Sequence, residues 1–129
     1  MTRQRQKLGR AAEGLAAKRL VARGYRLLER NARVRTPELI GEIDLIALDG
    51  AALVFVEVKA GRAGARIGPE RPALAVGPRK RTQLRRLARA WLARPGDRPR
   101  YAAIRFDVIG ITVGPDGRVA AYEHIEAAF

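Results

Sequence analysis

Two apolar runs, Leu39 to Leu48 and Ala52 to Ala60, stand on either side of Asp49-Gly50 in the stretch "GEIDLIALDGAALVFVEVKAGR". Short runs rich in Ile, Leu, Val and Phe around an Asp-Gly pair predict a β-hairpin. The same runs carry Glu42, Asp44, Glu57 and Lys59, and ionised groups on half-buried strands are costly unless something compensates them. With Asp49-Gly50 as a two-residue turn, Leu48 faces Ala51, Asp44 faces Phe55 and Glu42 faces Glu57. Side chains alternate along a strand, so Glu42, Asp44, Glu57 and Lys59 are expected on one side of the sheet with Ile46, Leu48, Leu53 and Phe55. Ile43, Leu45, Val54, Val56 and Val58 are expected on the other. Both sides are apolar and need cover, which fits helices on both.

The rest of the chain supplies them. From Gln6 to Arg23 the residues Leu8, Ala12, Leu15, Ala16 and Leu20 keep helical spacing before Gly24, and Arg79 to Arg94 places Leu84, Leu87, Ala88, Trp91 and Leu92 on one stripe. Tyr25 to Arg30 reads as a short edge strand, Tyr101 to Val113 as a longer one, and "RVAAYEHI" as a last short segment. The stretch from Gly61 to Pro78 is a long connection of the kind that more often serves function than structure. The expected architecture is one α/β domain over residues 1–129, in the order αβββαβ with room for one more strand.

The balance of 26 basic against 13 acidic residues gives a net charge of +13. Such a field favours nucleic acid as partner. No basic amphipathic helix with aromatic residues on its apolar side stands at either end, so a membrane is not expected as partner. No run approaches the roughly 18 apolar residues of a membrane span, and the start lacks a signal-peptide core, so a cytoplasmic protein is expected. There is no cysteine and a single histidine, His124, which removes thiol chemistry and a multi-histidine metal site. No phosphate-cradling glycine loop is present.

For the acidic cluster two readings are open from spacing alone. One is a rim ion pair of Glu57 with Lys59, with Glu42 and Asp44 solvated. The other is an oxygen-ligand site for Mg²⁺, which takes one or two protein carboxylates and keeps several waters. The ion would offset the carboxylate repulsion, bind a phosphate and activate water, with Lys59 stabilising developing charge. On the second helix Arg79, Arg85, Arg86 and Arg89 lie away from the apolar stripe and are candidate phosphate contacts, against a merely solvated face. Lys80 and Arg81 start that helix on the sheet side, either snorkelling or reaching phosphate near the site. Asp107 is as readily an ion-pair partner of Arg105 as a site residue, and His124 and Trp91 read as structural.

"GEIDLI…LVFVEVK" resembles the Asp…Glu-x-Lys core of the PD-(D/E)xK, or restriction-endonuclease-like, superfamily. Together with "GRAAEGLA" (9–16), "ERNAR" (29–33), "AVGPRK" (75–80) and "RFDV" (105–108), it resembles the YraN-type family of small bacterial proteins, similar in fold to archaeal Holliday-junction resolvases. The resemblance implies a restriction-endonuclease-like core with a mixed sheet flanked by helices. It implies Asp44 and Glu57 as ligands of Mg²⁺ or Mn²⁺, with the Val58 carbonyl as a third, Lys59 as the catalytic lysine and Glu13 as a first-helix site residue. Glu42 would support them. The expected function is a metal-dependent endonuclease acting on DNA, including branched or structured DNA. The alternative is a non-catalytic DNA- or RNA-binding protein that keeps the fold. A homodimer is left open. Two departures stand out: the segment between Asn31 and Gly41 is longer than the family spacing, which predicts an offset or bulged strand, and the basic residue after Glu-x-Lys is displaced to Arg62.

Overall fold

The computed structural model describes residues 3–64 and 71–129. The elements are α1 (Arg3–Ala22), β1 (Arg26–Thr36), β2 (Leu39–Asp49), β3 (Ala52–Arg62), a 3₁₀ turn (Pro72–Ala75), α2 (Pro78–Leu92), β4 (Ala103–Val113) and β5 (Val119–Ile125). The strands form one sheet in the order β1-β2-β3-β4-β5. All neighbours are antiparallel except β3 and β4, which run parallel from Ala52–Ala103 to Arg62–Val113. A parallel pair needs a crossover, and α2 lies within it. The sheet is therefore mixed and covered on both sides, as expected.

Each helix owns one side. Ala12, Ala16, Ala17 and Leu20 of α1 pack with Leu45, Ala47, Val54 and Val56. Leu84, Leu87, Ala88 and Trp91 of α2 pack with Ile46, Leu48, Leu53 and Phe55. These are the stripes that period-3.6 and period-2 spacing predict. Two glycines permit close approach. A Cβ on Gly41 would sit 2.8 Å from a Leu87 methyl, and one on Gly110 would sit 2.7 Å from the Ala73 backbone nitrogen, where the 3₁₀ turn crosses β4.

Several expectations change. β1 is not a short strand ending at Arg30; it continues to Thr36 because Ala32 and Val34 are buried while Arg33 and Arg35 point to solvent. The extra residues after Asn31 thus lengthen the β1–β2 hairpin, and β1 carries a bulge between Leu27 and Glu29. The 61–78 connection is partly structured, since β3 reaches Arg62 and the 3₁₀ turn follows; residues 65–70 lie outside the described residues. The hairpin register also differs. Leu48 pairs with Leu53 and Asp49 with Ala52, so the loop is Gly50-Ala51, not Asp49-Gly50. Gly50 has φ +56° and Ala51 has no positive φ, the pattern of a turn with glycine at its first central position. The slip moves the pairing by two, an even number, so the assignment of β3 residues to sides survives.

Candidate active site

The β2–β3 pairing ends at Leu45–Val56, and the site begins there. Leu45 packs under α1, yet Ile43 packs under α2, so the alternation breaks at Asp44. The opposite strand breaks with it. Arg30 lies against α1, its Nη2 3.6 Å from where a Gly14 Cβ would stand, whereas Ala32 packs under α2. Between them Asn31 has φ +49°, a left-handed conformation that asparagine tolerates better than most residues.

This double step turns Asp44 edgewise. Its Oδ2 accepts the Val58 backbone N–H at 2.8 Å, replacing a ladder bond where β2 and β3 part. The N–H and C=O of one strand residue point to the same side, so the Val58 carbonyl opens towards Asp44 as well. The Asp44 carboxyl is pushed up to about 7, first by burial and then by the charge of Glu57, against the stabilising Val58 N–H; Glu13 raises it further and Lys80 lowers it.

Glu57 is buried at 3% exposure. Its Oε1 lies 3.6 Å from Lys59 Nζ and 3.5 Å from Lys80 Nζ. Its Oε2 is buried with no hydrogen-bond partner among the described residues. An unpartnered buried carboxylate oxygen is costly, and a cation is one group that would satisfy it. No cluster of three Asp, Glu or His residues in metal-binding geometry occurs among the described residues. The available donors are thus two carboxylates and a backbone carbonyl, a set suited to a hard cation that keeps waters.

Glu42 does not join Glu57. The same break in alternation sends it to the α1 side, where it is exposed and lines a groove of about 630 Å³ with Arg10, Glu13, Arg30 and Asn31. The expected pairing of Glu42 with Glu57 across the hairpin is therefore incorrect. Glu13 lines this groove and its Oε2 accepts a 2.6 Å bond from Asn31 Nδ2. Glu13 and Glu57 both lie close enough to Asp44 to act on its charge. The positioning role of Asn31 was missed in the sequence; its signal is an asparagine inside an otherwise alternating strand.

On α2, Lys80 reaches the sheet side as expected, whereas Arg81 donates from Nε to the Val76 carbonyl at 3.0 Å. Arg79, Arg85, Arg86 and Arg89 are exposed, and the Arg85 guanidinium stands 5.2 Å from the Phe129 ring centre. Asp107 is a structural hub. Fully buried, it accepts from Arg105 Nε at 2.8 Å and Nη2 at 3.0 Å, from His124 Nε2 at 2.8 Å and from the Ala127 N–H at 3.1 Å. His124 Nδ1 accepts from Arg23 at 3.0 Å, which leaves the ring proton on Nε2 for Asp107.

A mixed sheet of this order, with one helix on each side, is a restriction-endonuclease-like α/β core. The model described as "Uncharacterised protein family UPF0102" matches residues 12–111, and the chain belongs to that family, the YraN-type family. It is 50% identical over 113 residues to a UPF0102 protein of Symbiobacterium thermophilum, covering 88% of each chain. It is 46% identical over 125 residues to one of Anaeromyxobacter dehalogenans, covering 97% of this chain and 85% of the relative. It is 43% identical over 129 residues to one of Geobacter metallireducens, covering 100% and 97%. No helix among the described residues is long and apolar enough to cross a membrane.

Proposed function

We propose that the chain is a metal-dependent endonuclease that hydrolyses phosphodiester bonds in DNA, including branched or structured DNA. The observation that carries this reading is Glu57: a buried carboxylate with one oxygen near two lysines and the other without a partner among the described residues, next to Asp44. Asp44, Glu57 and the Val58 carbonyl would hold Mg²⁺ or Mn²⁺. Bound there, the ion would supply charge neutralisation and Lewis acidity toward a phosphate oxygen.

The chain's own residues carry the rest. Hydrolysis joins a water oxygen to phosphorus and breaks one phosphorus–oxygen bond, and the leaving oxygen takes a proton. Lys59, with a third of its side chain exposed, can donate to a non-bridging oxygen as charge accumulates there. Lys80 can do the same from α2. Glu13, held by Asn31 and near enough to act on the charge of Asp44, offers a further carboxylate that can orient the attacking water. The net charge of +13 and the exposed arginines of α2 favour a polyanion in front of this site.

The test is a panel of branched, nicked and linear labelled DNAs incubated with Mg²⁺ or Mn²⁺. Wild-type protein is expected to cut at least one of them, and Glu57→Gln and Lys59→Gln to bind without cutting. Binding without any wild-type cleavage would replace this reading with a non-catalytic nucleic-acid-binding protein.

A further inference from the structure

Beyond the acidic site, α2 and the first half of β4 enclose a second groove, of about 330 Å³, lined by Arg85, Ala88, Arg89, Leu92, Ile104 and Phe106. Its floor is apolar and its charged groups are two exposed arginines. It stays open because β5 pairs with β4 only from Val108 onward, so nothing from β5 covers Ile104, which is 44% exposed.

We infer that this groove receives an unpaired nucleobase. Such a site rests on the reading above that nucleic acid is the partner, and it narrows the kind of nucleic acid. Two guanidinium groups beside an apolar floor complement a ligand that is flat and apolar in one part and anionic in the next. A nucleotide has that character. A duplex presents phosphates outward and keeps its bases stacked inside, so the floor can be filled only by a base that has left the stack. A second copy of this chain would bring another +13 against the arginines. The protein already holds a flat ring in a similar way next to the groove. Phe129 stacks on Phe106 at 5.4 Å and 19° with the Arg85 guanidinium 5.2 Å from its centre. Guanidinium planes stack on bases in the same manner.

The position fits the acidic site. Phe106 pairs with Phe55 across β3–β4, and Glu57 follows Phe55 by two residues on the same side. Along α2 the groove begins at Arg85, between one and two turns after Lys80. A base lodged there belongs to a strand whose phosphates run towards Glu57, so the preferred DNA has single-stranded character beside the bond at the site.

The experiment compares a blunt duplex with the same duplex bearing a short single-stranded tail, by fluorescence anisotropy in EDTA. Wild-type protein is expected to bind the tailed DNA more tightly. Ile104→Ser should lower that affinity by about five-fold or more, the low end of what one stacked base contributes, and leave blunt-duplex affinity unchanged. A 2-aminopurine in the tail should change its fluorescence on wild-type binding, a readout independent of how the variant folds. Equal affinity for the two DNAs, an unresponsive 2-aminopurine, or a tail preference that survives Ile104→Ser would each overturn the inference while leaving DNA as partner. Failure to bind either DNA would overturn both. Capture by phosphatidylglycerol vesicles that Ile104→Ser abolishes, without any tail preference, would overturn it in favour of a lipid headgroup.

Discussion

Lys80 and Lys59 share one oxygen of Glu57, at 3.5 and 3.6 Å, and leave the other without a partner among the described residues. A cation arriving at the free oxygen meets two ammonium groups that repel it. Lys80→Gln should therefore raise metal affinity, measured by calorimetry without DNA, and weaken DNA binding. If Lys80 serves only to anchor α2 on the sheet, Lys80→Gln would lower stability and leave the metal isotherm where it was.

Asp44 and Asp107 should give stability opposite dependences on pH. The Asp44 carboxyl titrates at about 7 in the folded chain, raised by burial and then by Glu57. The native state then holds a proton that the unfolded chain has lost, so stability falls as pH rises from about 4 to about 7. Burial would raise Asp107 too, but bonds from His124 and Arg105 leave it below the usual carboxylate range. Its contribution is present above that range and is lost as pH falls through the folded value. Asp44→Asn should remove the decline towards pH 7, stabilise the metal-free protein there and weaken metal binding. Urea titrations across this pH range would check it; an Asp44→Asn protein less stable than wild type at pH 7 would make Asp44 a structural partner.

Asp107→Asn should be among the most damaging single changes. It removes the charge that Arg105 and His124 are arranged around, and breaking a buried pair typically costs about 3–5 kcal/mol. Since Arg105 is 19% exposed on its side chain, the lower end is expected. DNA binding by whatever protein remains folded should be normal, which a salt-dependent titration would show.

Asn31→Ala and Asn31→Gly separate backbone from side chain. Alanine at φ +49° should cost about 1–2 kcal/mol, and glycine should cost little in backbone terms. Both lose the bond to Glu13, so both should reduce cleavage. Equal destabilisation by the two would place the cost in the lost amide instead.

On α2, replacing Arg86 or Arg89 with Gln should reduce the slope of log affinity against log salt by about 0.9 on duplex DNA and change folding by less than about 0.5 kcal/mol. Arg85→Gln should match the slope but also lose about 0.5–1 kcal/mol, because its guanidinium packs on Phe129. An unchanged slope when Arg85, Arg86 and Arg89 are all replaced with Gln would mark this face as merely solvated.

The two helices, the β2–β3 hairpin strands and the side on which Glu57 and Lys59 stand are legible in the sequence, because each depends on local periodicity. β1 was underestimated although Ala32-Arg33-Val34-Arg35 alternates as a strand should. The misplacement of Glu42 has a different origin. Strict alternation predicts an unbroken phase through Asp44, but the strand steps out of phase there, and only a facing residue in a left-handed conformation reveals it. The approach of Lys80 to Glu57 depends on how α2 docks, a tertiary fact that helical spacing narrows to one side of the helix and no further. The pairing of Asp107 with Arg105 is open from β4 itself, whereas its partners His124 and Ala127 come from β5 and the chain beyond it, so their convergence cannot be read from β4.

The β3–β4 pairing, described above as parallel with α2 inside its crossover, also bears on the order in which the chain assembles. The β2–β3 hairpin needs only neighbouring residues and can close early, whereas β4 must return over a long loop, the slower kind of event. This order is expected to place Glu57 beside Lys59 before Lys80 has a surface to dock on. Until α2 docks, Glu57 is then expected to have Lys59 beside it without Lys80, and docking supplies the second ammonium group. Divalent cations present during refolding should act at that stage, hastening closure of the hairpin end as well as stabilising the finished protein.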